Sequence, residues 1–452
     1  VNTTISLPAD DAYCGWYHTS PARTPTPAHA GISHAPWVVL GAGYTGLAAA
    51  RQLALNFPDD EVILVDAQAV GFGSAGRNAG FAIDLPHDPG AKDYIGDLKA
   101  AGMILKLNKT GQAVLSDLVQ QHAIACDWRQ CGKYQAAVTT RGTATLDAYK
   151  TGLDKLGEPW QMILARELPL HIGTTFYKQA LFTPGTALMQ PAALVKGLAD
   201  SLPANVSLYE NTPVTRIETG ADDTIILVHS HGKIIARQLI LANNAFASHF
   251  GFLPRRMLPI FLYASLTRVL TADEQQRLGG KDNWGAIPAD TFGTTVRRTV
   301  DQRILIRNSV SFNPDGRPRE KDLARFLHRH RRSFERRFPM LPGVEFEYRW
   351  SGVLAMAQNH EGFFGELAPN IYGALCCNGL GVTRGTATGT LLADWLALKL
   401  RKKRGAYLDE YRELIDFLLA SPGPNQVVPE PFLTPGVTAT LRWGQWRAGL
   451  EC

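Results

Sequence analysis

Hydrophobic and polar positions follow two different patterns along this chain. Near the start, the apolar run Trp37–Leu40 leads into an Ala/Leu-rich stretch with helical spacing. After a Pro-Asp-Asp turn comes a second apolar run, Glu61–Val65. Short apolar runs bounded by turn residues read as buried strands, and strands alternating with helices predict a parallel sheet. The spacing also predicts a helix within 92–123, with Ile95, Leu98, Ile104, Leu107, Val114, Leu115 and Leu118 facing inward. A strand around Tyr134–Thr139 and helices near Thr145–Leu156 and Leu194–Leu202 follow. Further strands are predicted at Val206–Glu210, Val214–Glu218, Thr224–His229 and Ile234–Leu241. From 257 to 312 the pattern changes to the alternation of antiparallel strands, over Ile260–Leu270, Thr294–Thr299 and Arg303–Ser311. Arg319–Phe338 is a basic amphipathic helix with Leu323, Phe326, Leu327 and Phe334 on one stripe. Gly373–Leu400 reads as a strand, a glycine loop and a long helix, and the proline-rich tail after Ser421 as a surface wrap.

At 452 residues the chain exceeds one ordinary core. The fold class expected is α/β: a Rossmann-like cofactor-binding domain plus a second α+β substrate domain built on an antiparallel sheet. The expected division is an arm over 1–35, cofactor segments 36–90, 185–250 and 345–400, substrate-domain segments 91–184 and 251–344, and a C-terminal helix and wrapping tail over 401–452.

The most informative stretch is Gly41-Ala42-Gly43-Tyr44-Thr45-Gly46, between the first strand and its helix. Gly41 permits a tight turn, Gly43 a close backbone approach to a pyrophosphate, and Gly46 close packing of helix on strand. The helix N-terminus offers unpaired N–H groups and the positive end of its dipole. Asp66 ends the second strand, about 20 residues further on, where a ribose diol donates. With strand, helix, second strand and acid in order, the motif points to an adenine dinucleotide.

Composition narrows the class. Hydrophobic content of 45% and charged content of 19% suit a globular protein, and a net charge of +5 is too mild to name a partner. No stretch approaches the roughly 18 uninterrupted apolar residues of a membrane helix, and the first 35 residues hold no signal-like apolar run, so a cytoplasmic setting is expected. Six cysteines (Cys14, Cys126, Cys131, Cys376, Cys377, Cys452) form no C-x-x-C pair and read as free thiols, with no metal site.

Soon after Asp66 comes Gly71-Phe72-Gly73-Ser74-Ala75-Gly76-Arg77-Asn78-Ala79-Gly80-Phe81. Its G-S-x-x-R-N-x-G core resembles the flavin loop of FAD-dependent amine and amino-acid oxidoreductases of the D-amino-acid oxidase, glycine oxidase and sarcosine oxidase superfamily, nearest the γ-glutamylputrescine-oxidase-like branch. That branch also carries an aromatic arm like Tyr13–Tyr17. Two more segments agree: Glu210–Ile217, whose Val214 would pack near the adenine, and Ile371–Thr386. In the latter, Gly379, Gly381, Val382 and Thr383 would bring backbone donors and a helix N-terminus to the flavin. The resemblance implies non-covalent FAD held by these residues and by Gly41, Gly43, Tyr44, Thr45, Gly46, Asp66, Ala67, Gly73, Ser74, Arg77, Asn78, Ala79 and Gly80. It implies oxidation of a primary or secondary amine, or an amino acid, by hydride transfer to flavin. The product is an imine that water hydrolyses, and dioxygen or another acceptor takes the electrons.

One departure stands out. Glycine-oxidase-like members hold the substrate carboxylate with an Arg in a G-x-R-P segment, and Leu354 occupies that position in Gly352-Val353-Leu354-Ala355-Met356. Leu cannot replace a bidentate guanidinium, so an amine, or an amino acid clamped from another position, is expected.

Candidates beside the ring are His87, Tyr263 and His360, although a loop histidine holding one hydrogen bond is the simpler reading of both histidines. Arg298 and Arg307 on the antiparallel strands can point either way. The basic helix reads as a solvated outer face rather than a nucleic-acid surface, and Arg401-Lys402-Lys403-Arg404 as charge complementing a helix C-terminus. Two other functions remain open: a flavin subunit relaying electrons in a larger complex, and a tRNA-modifying flavin oxidase domain.

Overall fold

Val38, Val39, Leu40, Val62, Leu64 and Val65 are all buried, as befits central strands covered on both faces. In the computed structural model, which describes residues 8–88, 90–91, 93–401 and 408–452, they form the middle of a parallel sheet. Gly31–Leu40 lies between Gly232–Leu241 and Val62–Val65, in parallel with both. Val206–Tyr209 extends the sheet beyond Val62–Val65, and Ile371–Leu375 extends it beyond Gly232–Leu241. Phe363–Ala368 closes that edge in antiparallel fashion.

The two faces have different covers. Trp37, Val39, Val62 and Leu64 pack on helices Tyr44–Asn56, Leu98–Gln121 and Thr383–Arg401. Val38, Leu40, Ile63 and Val65 pack on the meander Val214–Thr219 and Ile225–His229, which continues antiparallel into Gly232–Leu241. One helix pair is unusually close, because a side chain at Gly389 would come within 2.2 Å of the Thr45 carbonyl oxygen.

A second sheet runs Phe346–Met356, Leu258–Thr267, Ile304–Phe312, Thr295–Arg298, Trp284–Pro288, Lys133–Ala137, Gln179–Thr183, Gln161–Leu164. All neighbours are antiparallel except Trp284–Pro288 with Lys133–Ala137. Helix Glu320–Arg337 covers it with Leu323, Phe326 and Phe334. Among the described residues no helix is long and apolar enough to cross a membrane.

Several expectations shift. The first strand begins at Gly31, inside the stretch expected as arm, and residues 1–7 lie outside the described residues. Phe346–Met356 falls in a segment expected to serve the cofactor, yet it pairs along its length with Leu258–Thr267. The tail after Ser421 contains helix Leu433–Ala448, because Pro435 falls in the first turn, where a missing N–H costs nothing. Residues 402–404 of the basic run lie outside the described residues. Arg337, expected on the solvated face, is fully buried and donates to Ser333, the Tyr177 hydroxyl and the Glu451 carbonyl.

That last bond shows how the tail is held. The buried Glu451 carboxylate accepts from Val138 N (2.9 Å), Thr139 N (2.8 Å) and Thr139 Oγ1 (2.9 Å), at the start of helix Thr140–Leu156. Glu451→Ala leaves these buried donors unpaired and is expected to cost about 2–4 kcal/mol. The shift in urea midpoint at unchanged m-value measures it; an unchanged midpoint overturns the assignment.

Candidate active site

Ligands of open parallel sheets bind outside the carboxyl ends of the strands, and a cavity of about 1250 Å³ opens there. Its wall includes Gly41, Gly43, Tyr44, Thr45, Asp66, Ala67, Gly73, Ser74, Arg77, Asn78, Ala79, Val214, Gly379, Gly381, Val382 and Thr383, together with His87 and His360. Residues spread over most of the chain therefore meet on one surface. Gly46 and Gly80 stand behind that wall. A Cβ on Gly46 would sit 1.7 Å from the Gly41 oxygen, and one on Gly80 would meet the Arg297 guanidinium at 1.9 Å. Both glycines act through packing.

The first turn is built for an anion. Gly41 has φ of +109°, a conformation that side chains disfavour, and no side chain caps helix Tyr44–Asn56 at Gly43. The amides of the first helical turn thus face the cavity. Asp66 accepts from Ala42 N (2.7 Å) and Gln68 N (2.9 Å), and burial pushes its carboxyl up to about 6. Buried Glu210 accepts from Val70 N and Thr26 N (both 2.6 Å) and pairs with Arg23, so the arm fastens the second loop.

The second loop differs from expectation in its side chains. Ser74 lines the cavity, but its hydroxyl donates to the Val353 carbonyl (2.8 Å), which leaves mainly backbone to face a phosphate. Arg77 spends its donors on Phe72 O (2.6 Å), Ser351 O (3.1 Å) and the Asp11 carbonyl, and pairs with Asp10 and Asp11. It fastens arm, loop and strand Phe346–Met356 together and is not a free donor beside a ring. Asn78 closes its own turn through Ala75 O and Gly80 N. Arg297, absent from the expected set, supports this loop from below by donating to the Gly80 carbonyl (3.0 Å).

The closing loop is held in strained backbone. Asn244, Ser309, His360, Cys376 and Asn378 are non-glycine residues at φ between +49° and +65°, and all five line the cavity. Such conformations cost about 1–3 kcal/mol each and persist where surroundings fix them. Here the fixers are amides. Asn378 Oδ1 accepts from Ala357 N (2.8 Å), its Nδ2 donates to His360 O (2.9 Å), and Asn244 Oδ1 accepts from Cys376 N (2.9 Å). Neither asparagine was put forward as a site residue from sequence; an Asn beside Gly in a loop was the available sign for Asn378.

Of the chemical candidates, Tyr263 is misplaced. Ile260, Leu262 and Ala264 of its strand face the cavity, so alternation turns Tyr263 to the opposite face, where its hydroxyl meets Ser311 (2.7 Å) beneath Phe326. Arg298 likewise binds carbonyls of Gly279 and Lys281 away from the cavity wall. His87 lines the cavity, stacked on Tyr94 at 4.5 Å. Burial, and then the charges of Lys133, Arg307 and Arg384, hold its imidazole down to about 3. His360 lines the cavity with a buried Nδ1 that finds no partner among the described residues. Leu354 also lines it, with a methyl 3.8 Å from the Cβ position of Gly379. Cys376 is buried with its thiol against Ala355 O and Asn378 Oδ1, and burial pushes its ionisation, and that of Cys377, up.

An uncapped glycine turn, a carboxylate fastened behind it and a cavity roofed by a second sheet are the geometry of a dinucleotide-binding protein. The family model described as DAO, FAD dependent oxidoreductase, matches residues 36–395, and the chain belongs to that family. It is 27% identical to the gamma-glutamylputrescine oxidoreductase of Escherichia coli (strain K12), over 79% of this chain and 82% of that one. Its fold matches glycine oxidase from Geobacillus kaustophilus with a TM-score of 0.68 at 18% identity, covering 88% of this chain and 100% of that one. It also matches L-proline dehydrogenase from P. horikoshii at 0.64 and 18%, covering 87% and 98%. The chain is an FAD-dependent oxidoreductase, and its walls fit that cofactor: a Gly43 whose Cβ position meets the Ala75 methyl at 3.7 Å, uncapped amides, and a glycine loop opening a second helix.

His87 should stay neutral in the folded protein throughout ordinary pH. Imidazole nitrogen NMR should show no protonation between about pH 8 and 5, against titration near 6.5 after unfolding. The unfolded chain takes up this proton first, so His87 lowers stability as pH falls from about 6.5 toward 3. A midpoint near 6.5 in the folded state contradicts the assignment.

Proposed function

We propose that this chain oxidises the carbon–nitrogen bond of a small amine or amino acid, and not of a nucleic-acid substrate. The observation that carries the reading is one continuous cavity joining a complete FAD cradle to a chamber walled by Ile260, Leu262, Phe292 and Leu354. Bound FAD supplies the acceptor for a hydride equivalent from the carbon next to nitrogen. The chamber's aliphatic and aromatic walls exclude water around that carbon.

Transfer requires a neutral amine. A His87 that protonates only near 3 cannot take a proton from an ammonium at neutral pH, so as a group beside the ring it acts as a neutral imidazole. The positive charges of Lys133, Arg307 and Arg384 around it supply the same effect electrostatically, because nearby cations disfavour a charged amine. The released imine is hydrolysed by water, and dioxygen or another acceptor regenerates the oxidised cofactor. Opposed ionisation of Cys376 and Cys377 supports a dissociable FAD, and six unpaired thiols support a cytoplasmic setting.

The test is an anaerobic screen of primary amines, secondary amines and amino acids against the purified yellow protein. Loss of the flavin's visible absorbance with at least one of these is expected, while alcohols and α-hydroxy acids leave it unchanged. Bleaching by the oxygen compounds alone overturns the reading. Acid precipitation should leave the yellow colour in the supernatant; colour retained in the pellet means a covalent link.

A further inference from the structure

We propose that the outer face of helix Leu433–Ala448, together with the arginine row of helix Glu320–Arg337, docks this protein on an anionic lipid bilayer. Exposed tryptophan is the first sign. Trp37, Trp284 and Trp350 are buried, whereas Trp443 is 55% exposed and Trp446 78%. Phe432, at the start of the helix, is 71% exposed, and Leu450, just past its end, is 53% exposed. Phe432, Gly436, Ala439, Trp443 and Trp446 recur every three or four residues, the spacing of one helix face, and all are exposed. They form an apolar stripe about 20 Å long. The opposite face has its own work. Val437 and Leu441 line the cavity, and Gly444 leaves room for the Phe292 ring, which a Cβ would meet at 2.4 Å. Packing of the helix therefore does not account for the outer stripe, and a contiguous exposed apolar face marks a docking surface.

Charge decides what docks there. Residues 431–450 contain Arg442 and Arg447 and no acid. The Arg447 guanidinium lies over the Trp443 ring at 4.7 Å, so cation and indole share one patch. Arg329 donates to Gln445 Oε1 at 2.7 Å, which sets the basic helix alongside. That helix presents Arg325, Arg329, Arg332 and Arg336, one helical row, to solvent, and the exposed acids on it are Glu320 and Glu335. A second copy placed on the stripe by a twofold axis would set Arg442 and Arg447 against their own counterparts, and like charges repel. A nucleic acid would answer the arginines and leave Phe432 and Trp446 in water. An anionic bilayer answers both at once. Its headgroup phosphates pair with the guanidiniums, and its headgroup boundary takes indole rings with their N–H groups still hydrated. The protein then lies on the membrane surface without spanning it, the helix that roofs the cavity facing the lipid.

The experiment uses the FAD-loaded protein and vesicles of phosphatidylcholine, alone or with about a third phosphatidylglycerol. Binding is read by cosedimentation and by the blue shift of tryptophan emission. At low salt the anionic vesicles should bind at least about tenfold more protein than the neutral ones, and about 0.5 M salt should remove most of that difference. Trp443→Ser combined with Trp446→Ser should weaken binding about ten- to a hundredfold, and Arg442→Gln about fivefold. Both variants should keep the bound-flavin spectrum, which reports an intact fold. No binding to anionic vesicles, or equal binding to neutral ones, overturns the proposal whether or not the variants fold. Vesicle binding that the tryptophan variant leaves unaltered overturns the assignment to this helix. A dimer in sedimentation velocity that the same variant dissociates makes a second copy the occupant. An RNA oligonucleotide that binds more tightly than the vesicles makes the occupant a nucleic acid. Either result overturns the bilayer.

Discussion

The buried carboxylate of Asp66 is the constraint on which the cofactor site depends. Its two oxygens accept from Ala42 N in the first turn and Gln68 N in the second loop. Its own backbone joins Tyr209 O and Thr212 N. The first turn, the second loop and the segment 209–212 are thereby fixed around one residue at the carboxyl edge of the sheet. Burial alone would favour the neutral acid, and the two amides oppose that. Those amides keep the group an acceptor, and they fix the spacing between the glycine turn and the second loop.

From this point outward the protein becomes progressively less regular. The parallel strands are apolar on both faces and the glycine turn is dictated by sterics, so both were legible as sequence. The roofing sheet was partly legible through alternation in Leu258–Thr267 and Ile304–Phe312. Its short strands Gln161–Leu164 and Trp284–Pro288 were not, because four or five residues carry too little periodicity. Helix Ala272–Leu278 was readable but missed: Thr271 and Glu274 form a capping box, a local signal independent of tertiary context.

The site itself divides along the same line. Positions where backbone faces the cofactor were legible, because glycine and small residues leave a sequence signature. Side chains were not, because a motif does not reveal how its donors are spent. Arg77 and Ser74 look like ligands in sequence, and in the fold they bind Ser351 O and Val353 O, tying the flavin loop to a strand some 270 residues away. Tyr263 failed for a geometric reason: neighbours in a strand point to opposite faces, and only the register of Leu258–Thr267 decides which face is wet.

Positive charge around the cavity falls into two kinds. In this chain the guanidiniums of Arg297, Arg298 and Arg337 are hydrogen-bonded to carbonyls and tie separate segments together. Burial first, and then the charges of Lys133, Arg307 and Arg384, keep the His87 ring uncharged. Such a field works in two directions at once. It disfavours a protonated amine nearby and favours an anion nearby. Its sources stand on both layers: Lys133 and Arg307 on the roofing sheet, and Arg384 on the helix that follows the glycine loop.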